Sequence, residues 1–385
     1  MAMPVNVALL GAGIFALNEH LPAIFASPSA KLHSVWSRSE ASAKKLSAAS
    51  GGVPVVYFGE DQIDPLLADP EVQAVIIVLP IEKQPGCIRK AWAAGKHVLS
   101  EKPMSMDVAE AKQLIKEYET FYEPKGLIWR VAENFAHEPM LHKTRTLLAD
   151  PNSGLGSILY YQTSFIDFVP DGHRYQSTSW RTIPAYQGGF LYDGGVHYAA
   201  LMRTILPIPP ASVVAATACH RAHLPPNDHL MALCIGPPES AVEPHGPPTA
   251  LTTAQHDVSV LKGVGKSITH GTFTLSLAPP NTTHSATPYG VVVTCVNGIV
   301  SVLQSSAGWT LRVEPHKGSD VKSLEFTGPV QGVQVEVDMF VRAIQGERGP
   351  NYGNPRDTLW DVAFIQACLD SGGNQIILSS LTSMA

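Results

Sequence analysis

The chain has 385 residues, enough for two or three domains that each bury a core. Charged residues make up only 16%, against about 25% in an average globular protein, which excludes long charged disordered tails. The 27 Lys and Arg against 33 Asp and Glu give a net charge of -6, which excludes a generic nucleic-acid binder. The five cysteines are far apart and odd in number, which predicts reduced thiols and a cytoplasmic location.

The first part of the chain alternates buried strands with amphipathic helices. Strands are predicted at Val5–Leu10 and at residues 32–36, 72–79 and 97–100, with helical stretches between them. This order is typical of a doubly wound parallel sheet, so we predict a dinucleotide-binding Rossmann domain over residues 1–127. No apolar run reaches the roughly 18 residues of a membrane span, and the N-terminus lacks a basic segment before its short apolar run, so neither a membrane segment nor a secretory signal is expected.

One helix of this domain has a clear start. Asp107 and Glu110 form a capping-box pattern, and Val108, Ala111 and Leu114 keep helical spacing behind it. We therefore predict a helix from residue 108 that covers one face of the parallel sheet.

The rest of the chain, residues 128–385, is richer in strand-like runs and is predicted to form an α/β domain with an open, mostly antiparallel sheet. Asn297-Gly298 indicates a type I′ hairpin, in which both turn residues take positive φ. The Pro- and His-rich residues 220–256 are predicted to lack regular structure, and their irregularly spaced histidines favour a solvated loop, so no metal site is assigned. Pro355 is predicted to open a helix over about residues 355–370 that packs back on the first domain.

The first strand leads into a glycine-rich turn, Gly11-Ala12-Gly13-Ile14-Phe15-Ala16, which fits the G-x-G-x-x-A dinucleotide fingerprint. Gly11 permits the tight turn, and Gly13 allows the backbone to approach a pyrophosphate. The next helix begins at Ile14 and Phe15, and its N-terminal amides bind the negative charge of that group. The alternative is a strand-to-helix turn without a ligand.

The second strand ends in Ser37-Arg38, where NAD-binding chains usually carry a carboxylate for the ribose diol. A guanidinium and a hydroxyl can instead bind a 2′-phosphate, which favours NADP(H), with NAD(H) possible. The alternative is a solvated surface arginine.

Later strand ends carry further candidates. Leu79 and Pro80 follow one strand, Gln84 begins the next helix, and Glu101-Lys102-Pro103 closes another strand. The carboxyl ends of parallel strands line the ligand crevice, so Lys102 can donate a proton to a carbonyl oxygen or stabilise an alkoxide there. From composition alone Lys102 is an ordinary surface lysine.

With the fingerprint upstream, Glu101-Lys102-Pro103 resembles the glucose-fructose oxidoreductase and inositol dehydrogenase family (Gfo/Idh/MocA). Trp180-Arg181 and residues 188–197 are similar to the family's G-G-x-x-x-D-x-G-x-H segment, and Glu133-Asn134-Phe135 lies between the two blocks. The match covers nearly all of residues 5–205, and the chain most resembles the fungal NADP(H)-dependent members. The resemblance implies Lys102 and His197 as the catalytic pair and Asp193 as a substrate-binding or orienting carboxylate. It also implies a set of cofactor-side or substrate-side residues: Glu101, Asn134, Trp180 and Arg181.

Two of these residues have alternative interpretations. Asp193 and His197 are four apart and share one face of a helix, but Asp193 also suits an N-cap before Gly194, and His197 among apolar residues suits a core histidine. Gln84 departs from the family, in which His or Asn is frequent.

We predict an NADP(H)-dependent oxidoreductase that moves hydride between nicotinamide and a hydroxyl or carbonyl carbon of a small-molecule substrate. A cofactor-binding regulator without turnover is the rival of another class. Reduction of a C=N bond or a secondary-metabolite ketone is the rival among enzymes, because aromatic residues are frequent in the second domain. The resemblance also implies a homodimer or homotetramer through the open sheet, because an unpaired apolar sheet face would otherwise be exposed. The acidic net charge and the lack of a membrane-length apolar run predict that neither nucleic acid nor a membrane is a partner.

Overall fold

A computed structural model describes residues 3–52, 55–242, 267–281 and 289–384 of the chain. Within them, the N-terminal part forms a sheet of six strands. In chain order these are β1 (Val5–Leu10), β2 (Ala30–Ser37), β3 (Val55–Phe58), β4 (Ala74–Ile77), β5 (His97–Glu101) and β6 (Trp129–Ala132). They lie in the order β3-β2-β1-β4-β5-β6, and every neighbouring pair is parallel. The predicted Rossmann sheet is therefore confirmed.

Two strands of this sheet were not predicted from the sequence. Edge strand β3 pairs only with β2 and is partly exposed, so its short run lacks the buried pattern of its neighbours. Strand β6 carries Arg130 inside an otherwise apolar run. It extends the parallel sheet past residue 127, the predicted end of the first domain.

Five helices flank the strands of this sheet in the described residues. They are α1 (Leu21–Ala26), α2 (Glu40–Ala49), α3 (Ile63–Ala68), α4 (Gln84–Ala93) and α5 (Val108–Glu117). Asp107 accepts a hydrogen bond from the Glu110 backbone N–H at 2.8 Å, which confirms the predicted cap of α5. The Glu110 carboxylate accepts from Arg89 at 2.7 Å, so a charge-assisted bond replaces the second half of the capping box.

The second sheet has nine strands in the described part of the chain and is mostly antiparallel, as predicted. Its order is β16-β15-β14-β13-β7-β12-β9-β8-β17, and the pair β7 and β12 is parallel. The strands after β6, including the separate short pair β10 and β11, are β7 (Ile158–Ile166), β8 (Ser212–Ala218), β9 (His229–Ile235), β10 (Ala241–Val242), β11 (Ser267–Ile268), β12 (His270–Ser276), β13 (Gly290–Cys295), β14 (Gly298–Ser305), β15 (Gly308–Pro315), β16 (Leu324–Gly328) and β17 (Gln375–Ile377).

The prediction of irregular structure over residues 220–256 is wrong for part of that stretch. Strand β9 lies inside it, pairs with β8 and β12, and alternates buried Leu230, Ala232 and Cys234 with outward Met231 and Leu233. Both faces of β9 are apolar, so the sequence shows no polar alternation, and tertiary pairing decides the structure. Residues 243–256 of the stretch lie outside the described residues.

The hairpin between β13 and β14 is present, but its predicted turn type is wrong. No non-glycine described has a positive φ, Gly298 is not among the positive-φ glycines, and the loop centres on Val296 and Asn297. The Val296 N–H donates to Ser157 O at 3.0 Å, and Asn297 Nδ2 donates to Gly154 O at 2.7 Å. Both acceptors lie in the segment just before β7, and these bonds stabilise a turn that the propensity of Asn-Gly alone does not predict.

Six further helices are described in the second part of the chain. They are α6 (Pro139–Ala149), α7 (Ser179–Thr182), α8 (Gly189–Ile205), α9 (Gly332–Ile344), α10 (Pro355–Asp370) and α11 (Leu378–Thr382). Helix α10 begins at Pro355 as predicted, and Gln366 on it accepts from the Val108 backbone N–H at 2.9 Å. Helix α9 packs on the parallel sheet, because Val337 and Phe340 share a buried cluster with Leu9 of β1. None of the described helices is long and apolar enough to span a membrane.

The cap of α5 gives a direct test of local stability. Asp107→Ala removes the acceptor for the Glu110 N–H and should lower the free energy of unfolding by about 1 kcal/mol. Urea denaturation followed by circular dichroism measures the change. Asp107→Asn keeps an acceptor and should unfold close to wild type; equal losses in both variants would contradict a capping role.

Candidate active site and cofactor cleft

A cleft of about 440 Å³ opens at the carboxyl ends of the parallel strands. Most residues that the sequence singled out line it, although they come from distant segments. These are Gly11, Gly13, Ile14, Phe15, Ser37, Arg38, Leu79, Pro80, Glu101, Lys102, Trp180, Arg181 and Asp193. Gln84, Asn134 and His197 are absent from the cleft wall.

The glycine-rich turn forms the floor of one end of the cleft. Gly11 has φ 112°, and a Cβ there would lie 2.1 Å from Val78 O, so this position requires glycine. At Gly13 a Cβ would meet no protein atom within 4 Å. The space beside Gly13 is therefore open to a ligand, and the helix that starts at Ile14 points its first amides toward this end.

Arg38 lies at the exposed end of β2, on the wall of the same cleft. Its neighbour Ser37 is buried, and Trp36 is fixed by a hydrogen bond from its Nε1 to Gly59 O at 2.8 Å. In the part of the chain that the structure describes, Arg38 forms no ion pair with a carboxylate. Its charge is thus available to a ligand at this end.

Lys102 and Arg181 meet on one buried carboxylate at the opposite end. Lys102 Nζ donates to the Asp193 carbonyl oxygen at 3.0 Å and to Asp193 Oδ1 at 3.2 Å, and Arg181 Nε donates to Asp193 Oδ2 at 2.7 Å. The Arg181 guanidinium also lies 3.9 Å above the Trp180 ring. Burial raises the pKa of Asp193, but the Lys102 and Arg181 charges outweigh it and lower that pKa to about 2. Asp193 therefore stays ionised.

His197 lies one turn after Asp193 on α8, as the spacing predicts, but it is held by a different partner. Its Nδ1 lies 2.7 Å from Glu133 Oε1, and its ring stacks on Phe135 at 4.9 Å. Helix α8 begins at Gly189 with Gly188 as its N-cap, so Asp193 lies inside the helix and does not cap it.

Glu133 is a site residue whose role the sequence reasoning missed. It follows β6 at a strand end and is fully buried, which raises its pKa, but the charges of His197 and Lys102 and its hydrogen bonds lower that pKa overall. The signal would have been a carboxylate directly after a strand end, but strand β6 itself was not predicted, so this signal was not visible in the sequence.

Gln84 and Asn134 lie behind the wall of the cleft. Gln84 is fully buried, and its Nε2 donates to Pro103 O at 3.2 Å, which supports the turn that carries Lys102. Asn134 is buried in a short turn against α9, where its carbonyl oxygen would lie 2.1 Å from a Cβ at Gly332. Neither side chain lines the cleft, so each acts on the site only through the residues it packs against or binds.

A second group of polar side chains lies behind Glu101. His20, Glu101 and Glu336 are buried, and one nitrogen or oxygen of each lies within 4.8 Å of the others. His20 Nε2 is 2.6 Å from Glu101 Oε1, whereas both carboxyl oxygens of Glu336 have no hydrogen-bond partner. Of these three residues, only Glu101 is a site residue predicted from the sequence. The signal for Glu336 is an acid at helical spacing from Val333 and Phe340, on the apolar face of α9.

Comparison with known proteins identifies the family. The model for the oxidoreductase family with an NAD-binding Rossmann fold (GFO/IDH/MocA) matches residues 5–120, and the GFO/IDH/MocA C-terminal domain model matches residues 144–237. A dehydrogenase from Fusarium mangiferae is 30% identical over 375 residues, which cover 95% of this chain and 96% of the relative.

Solved structures share the whole architecture. An oxidoreductase from Thermotoga maritima superposes with a TM-score of 0.77 at 27% identity and covers 98% of this chain and 99% of its own. A 3-ketoreductase from Actinomadura kijaniata, solved with NADP and TDP-benzene, has a TM-score of 0.69 at 21% identity and covers 94% and 96% of the two chains, which shows a common fold. The chain belongs to the Gfo/Idh/MocA family of oxidoreductases.

Proposed function

We propose that the protein is an NADP(H)-dependent oxidoreductase that moves hydride between nicotinamide and a hydroxyl or carbonyl carbon of a small molecule. The substrate classes are a sugar, a polyol, an aldehyde or a ketone. The observation that carries the proposal is the placement of Lys102 and its partner Asp193 in the cleft that the glycine-rich turn opens. A cation that can give up a proton thus shares one space with a dinucleotide fingerprint.

The cleft fits a dinucleotide at the positions where the fingerprint requires it. The open space at Gly13 leaves room for a pyrophosphate beside the helix amides, and Ser37 with Arg38 offers a hydroxyl and a guanidinium to a 2′-phosphate. When bound, the nicotinamide supplies the hydride chemistry, and the protein has to bind it, orient it and handle the proton.

Lys102 is the proton donor of the proposed mechanism. Ionised Asp193 holds the Lys102 ammonium on two oxygens, so Nζ is fixed before a substrate oxygen arrives. His197 is the second acid–base group: with Nδ1 bound to Glu133, its Nε2 is the nitrogen available for proton exchange. Arg181 holds the other oxygen of Asp193 and keeps that carboxylate in place.

Tyr175 and Trp180 favour a substrate with an apolar surface. Both aromatic residues line the cleft on the side of Arg181, where a stacked ring or an alkyl group would contact them. This observation supports a second candidate, the reduction of a C=N bond or of a secondary-metabolite ketone. Turnover of NADPH with a panel of sugars, aliphatic and aromatic ketones and cyclic imines separates the candidates, and binding without turnover on every compound would indicate a regulator.

The cofactor assignment is tested at Arg38. A charge-assisted hydrogen bond contributes about 1.5–3 kcal/mol, so Arg38 should favour NADPH over NADH by roughly ten- to 150-fold. Arg38→Ala should remove most of this preference and Arg38→Lys should keep part of it, measured as the ratio of the two dissociation constants by fluorescence titration. Equal wild-type affinity for the two cofactors would overturn the NADP(H) assignment.

The proton donor is tested at Lys102. Lys102→Met keeps most of the length of the side chain but removes the proton, so kcat should fall by about 10²–10⁴-fold while the dissociation constant of NADPH changes little. Lys44→Met, on the exposed face of α2, is the control and should leave kcat unchanged. Near-normal turnover in Lys102→Met would show that Lys102 does not transfer the proton.

We also propose that the open face of the second sheet forms a homodimer or homotetramer interface. Met231 is 53% exposed and Leu233 45% exposed on the outer side of β9, an interior strand of the sheet, and Tyr160 of β7 is exposed on the same sheet. Water contact with such an apolar sheet face is unfavourable, and a second copy would remove it.

Light scattering coupled to gel filtration tests this interface. Wild type should elute as a dimer or tetramer, and the double variant Met231→Lys, Leu233→Lys should elute as a smaller species because it places two charges in the interface. Ile183→Lys, at a side chain that is 82% exposed outside the sheet, is the control and should keep the wild-type mass. A monomeric wild type would overturn the proposal.

A further inference from the structure

The helix that follows the glycine-rich turn contains one π turn close to its start. Residues Ala16–His20 form a π turn, in which the Leu21 N–H donates to the Ala16 carbonyl five residues back. A π turn accommodates an additional residue in a helix and is frequent at functional sites. Here it ends on His20, a side chain with 0% exposure.

His20 connects the cleft wall to the strand end that carries Lys102. Its ring meets Phe15, which lines the cleft, in an edge contact with 5.4 Å between ring centroids. On the other side its Nε2 lies 2.6 Å from Glu101 Oε1. The second oxygen of that carboxylate, Oε2, accepts from the Lys102 backbone N–H at 3.2 Å. Two hydrogen bonds therefore join the cofactor helix to the backbone of Lys102.

Glu336, on α9, is the third member of this buried group with His20 and Glu101. Burial, together with the charges of Glu101 and neighbouring glutamates, raises the pKa of Glu336 well above its ordinary value, and in the described structure neither of its carboxyl oxygens has a hydrogen-bond partner. In the described structure Glu336 forms no hydrogen bond with His20 or Glu101. The pair of His20 and Glu101 thus remains the interaction that fixes the carboxylate.

We propose that His20 is a positioning residue that, through Glu101, fixes the backbone of Lys102 relative to the cofactor-binding helix. Removal of the imidazole frees the Glu101 carboxylate to rotate, and the Lys102 N–H loses its acceptor. The consequence for turnover rests on the proposed function, whereas the consequence for the Lys102 amide does not.

The first experiment measures the Lys102 amide directly in the full-length protein labelled with ¹⁵N-lysine. In His20→Leu, hydrogen exchange of this amide should become at least about tenfold faster, the change expected when roughly 1.4 kcal/mol of protection is lost. His20→Gln retains an N–H donor near the same position and should restore slow exchange. Unchanged exchange in His20→Leu would overturn the proposal.

The matched control is His33→Leu, which removes a comparable pair in the same domain. His33 Nε2 lies 3.1 Å from Asp69 Oδ2, away from the cleft. This variant should keep wild-type exchange at Lys102. If it accelerates exchange as much as His20→Leu does, the effect is a general loss of stability and the proposal fails. Should His20→Leu not fold, His20→Asn, whose amide is too short to reach Glu101, replaces it in the comparison with His20→Gln.

The second experiment is kinetic. Misplacement of a reacting group by about 1 Å can cost 10²-fold, so kcat of His20→Leu should fall at least about tenfold while the dissociation constant of NADPH changes less than about threefold. His20→Gln should recover most of kcat. If wild type binds NADPH without any turnover, the proposed function fails, and the amide exchange alone decides the role of His20.

Metal analysis of the purified protein tests whether the buried group of His20, Glu101 and Glu336 instead binds a divalent cation. One imidazole and two carboxylates are a common ligand set for a divalent cation. A stoichiometric metal in wild type that is lost in both His20→Leu and His20→Gln would overturn the positioning role and assign the cluster as a metal site. Protein free of bound metal that still shows slow Lys102 exchange supports the positioning role.

Discussion

The buried carboxylate of Asp193 is the interaction on which the site depends. A carboxylate in a protein interior costs several kcal/mol unless cations and hydrogen bonds compensate it, and Lys102 and Arg181 do so here. The three residues come from α8, the end of β5 and α7, so one charge joins α8 to the parallel sheet and to the short helix that lines the cleft. Loss of either cation would leave an uncompensated charge in the place where substrate has to bind.

Behind this triad lies a layer of polar groups that is unusual for a protein core. Glu133, His137 and Glu336 are buried, and each has at least one polar atom without a hydrogen-bond partner in the described structure. Burial of such groups opposes folding, so their presence close to the site, with Glu133 and Glu336 in the field of Lys102, is better explained by function than by stability. Proteins tolerate this cost at active sites, where the field of fixed charges sets the protonation states of neighbouring groups.

The sequence predicts the parts of the molecule that follow local rules. The apolar runs of β1 and β5, the glycine-rich turn and the cap at Asp107 depend on residues close in the chain, and the structure contains them. A strand end draws attention to Lys102, and the resemblance to the family adds Asp193, which no spacing argument connects to it. The pair of His20 and Glu101, 81 residues apart, depends on strand order and on a π turn, neither of which has a local pattern.

The errors have the same physical origin. Strand β9 is apolar on both faces because one face packs in the core and the other lies on the open side of the sheet, so its alternation is invisible in the sequence. The turn at Asn297 adopts its conformation through bonds to Gly154 and neighbouring residues, which outweigh the preference of Asn-Gly for positive φ. In both cases contacts between distant segments outweigh local propensity.

Helix α9 has a consequence for how the molecule is made. It covers one face of the parallel sheet, yet it is synthesised after almost all of the second sheet. On the ribosome the strands of the nucleotide-binding half therefore emerge long before the helix that shields Leu9 and Ile76 from water. Until Val337 and Phe340 are synthesised, the part of that face that α1 and α2 leave uncovered is exposed apolar surface, which makes a partly folded chain prone to aggregate.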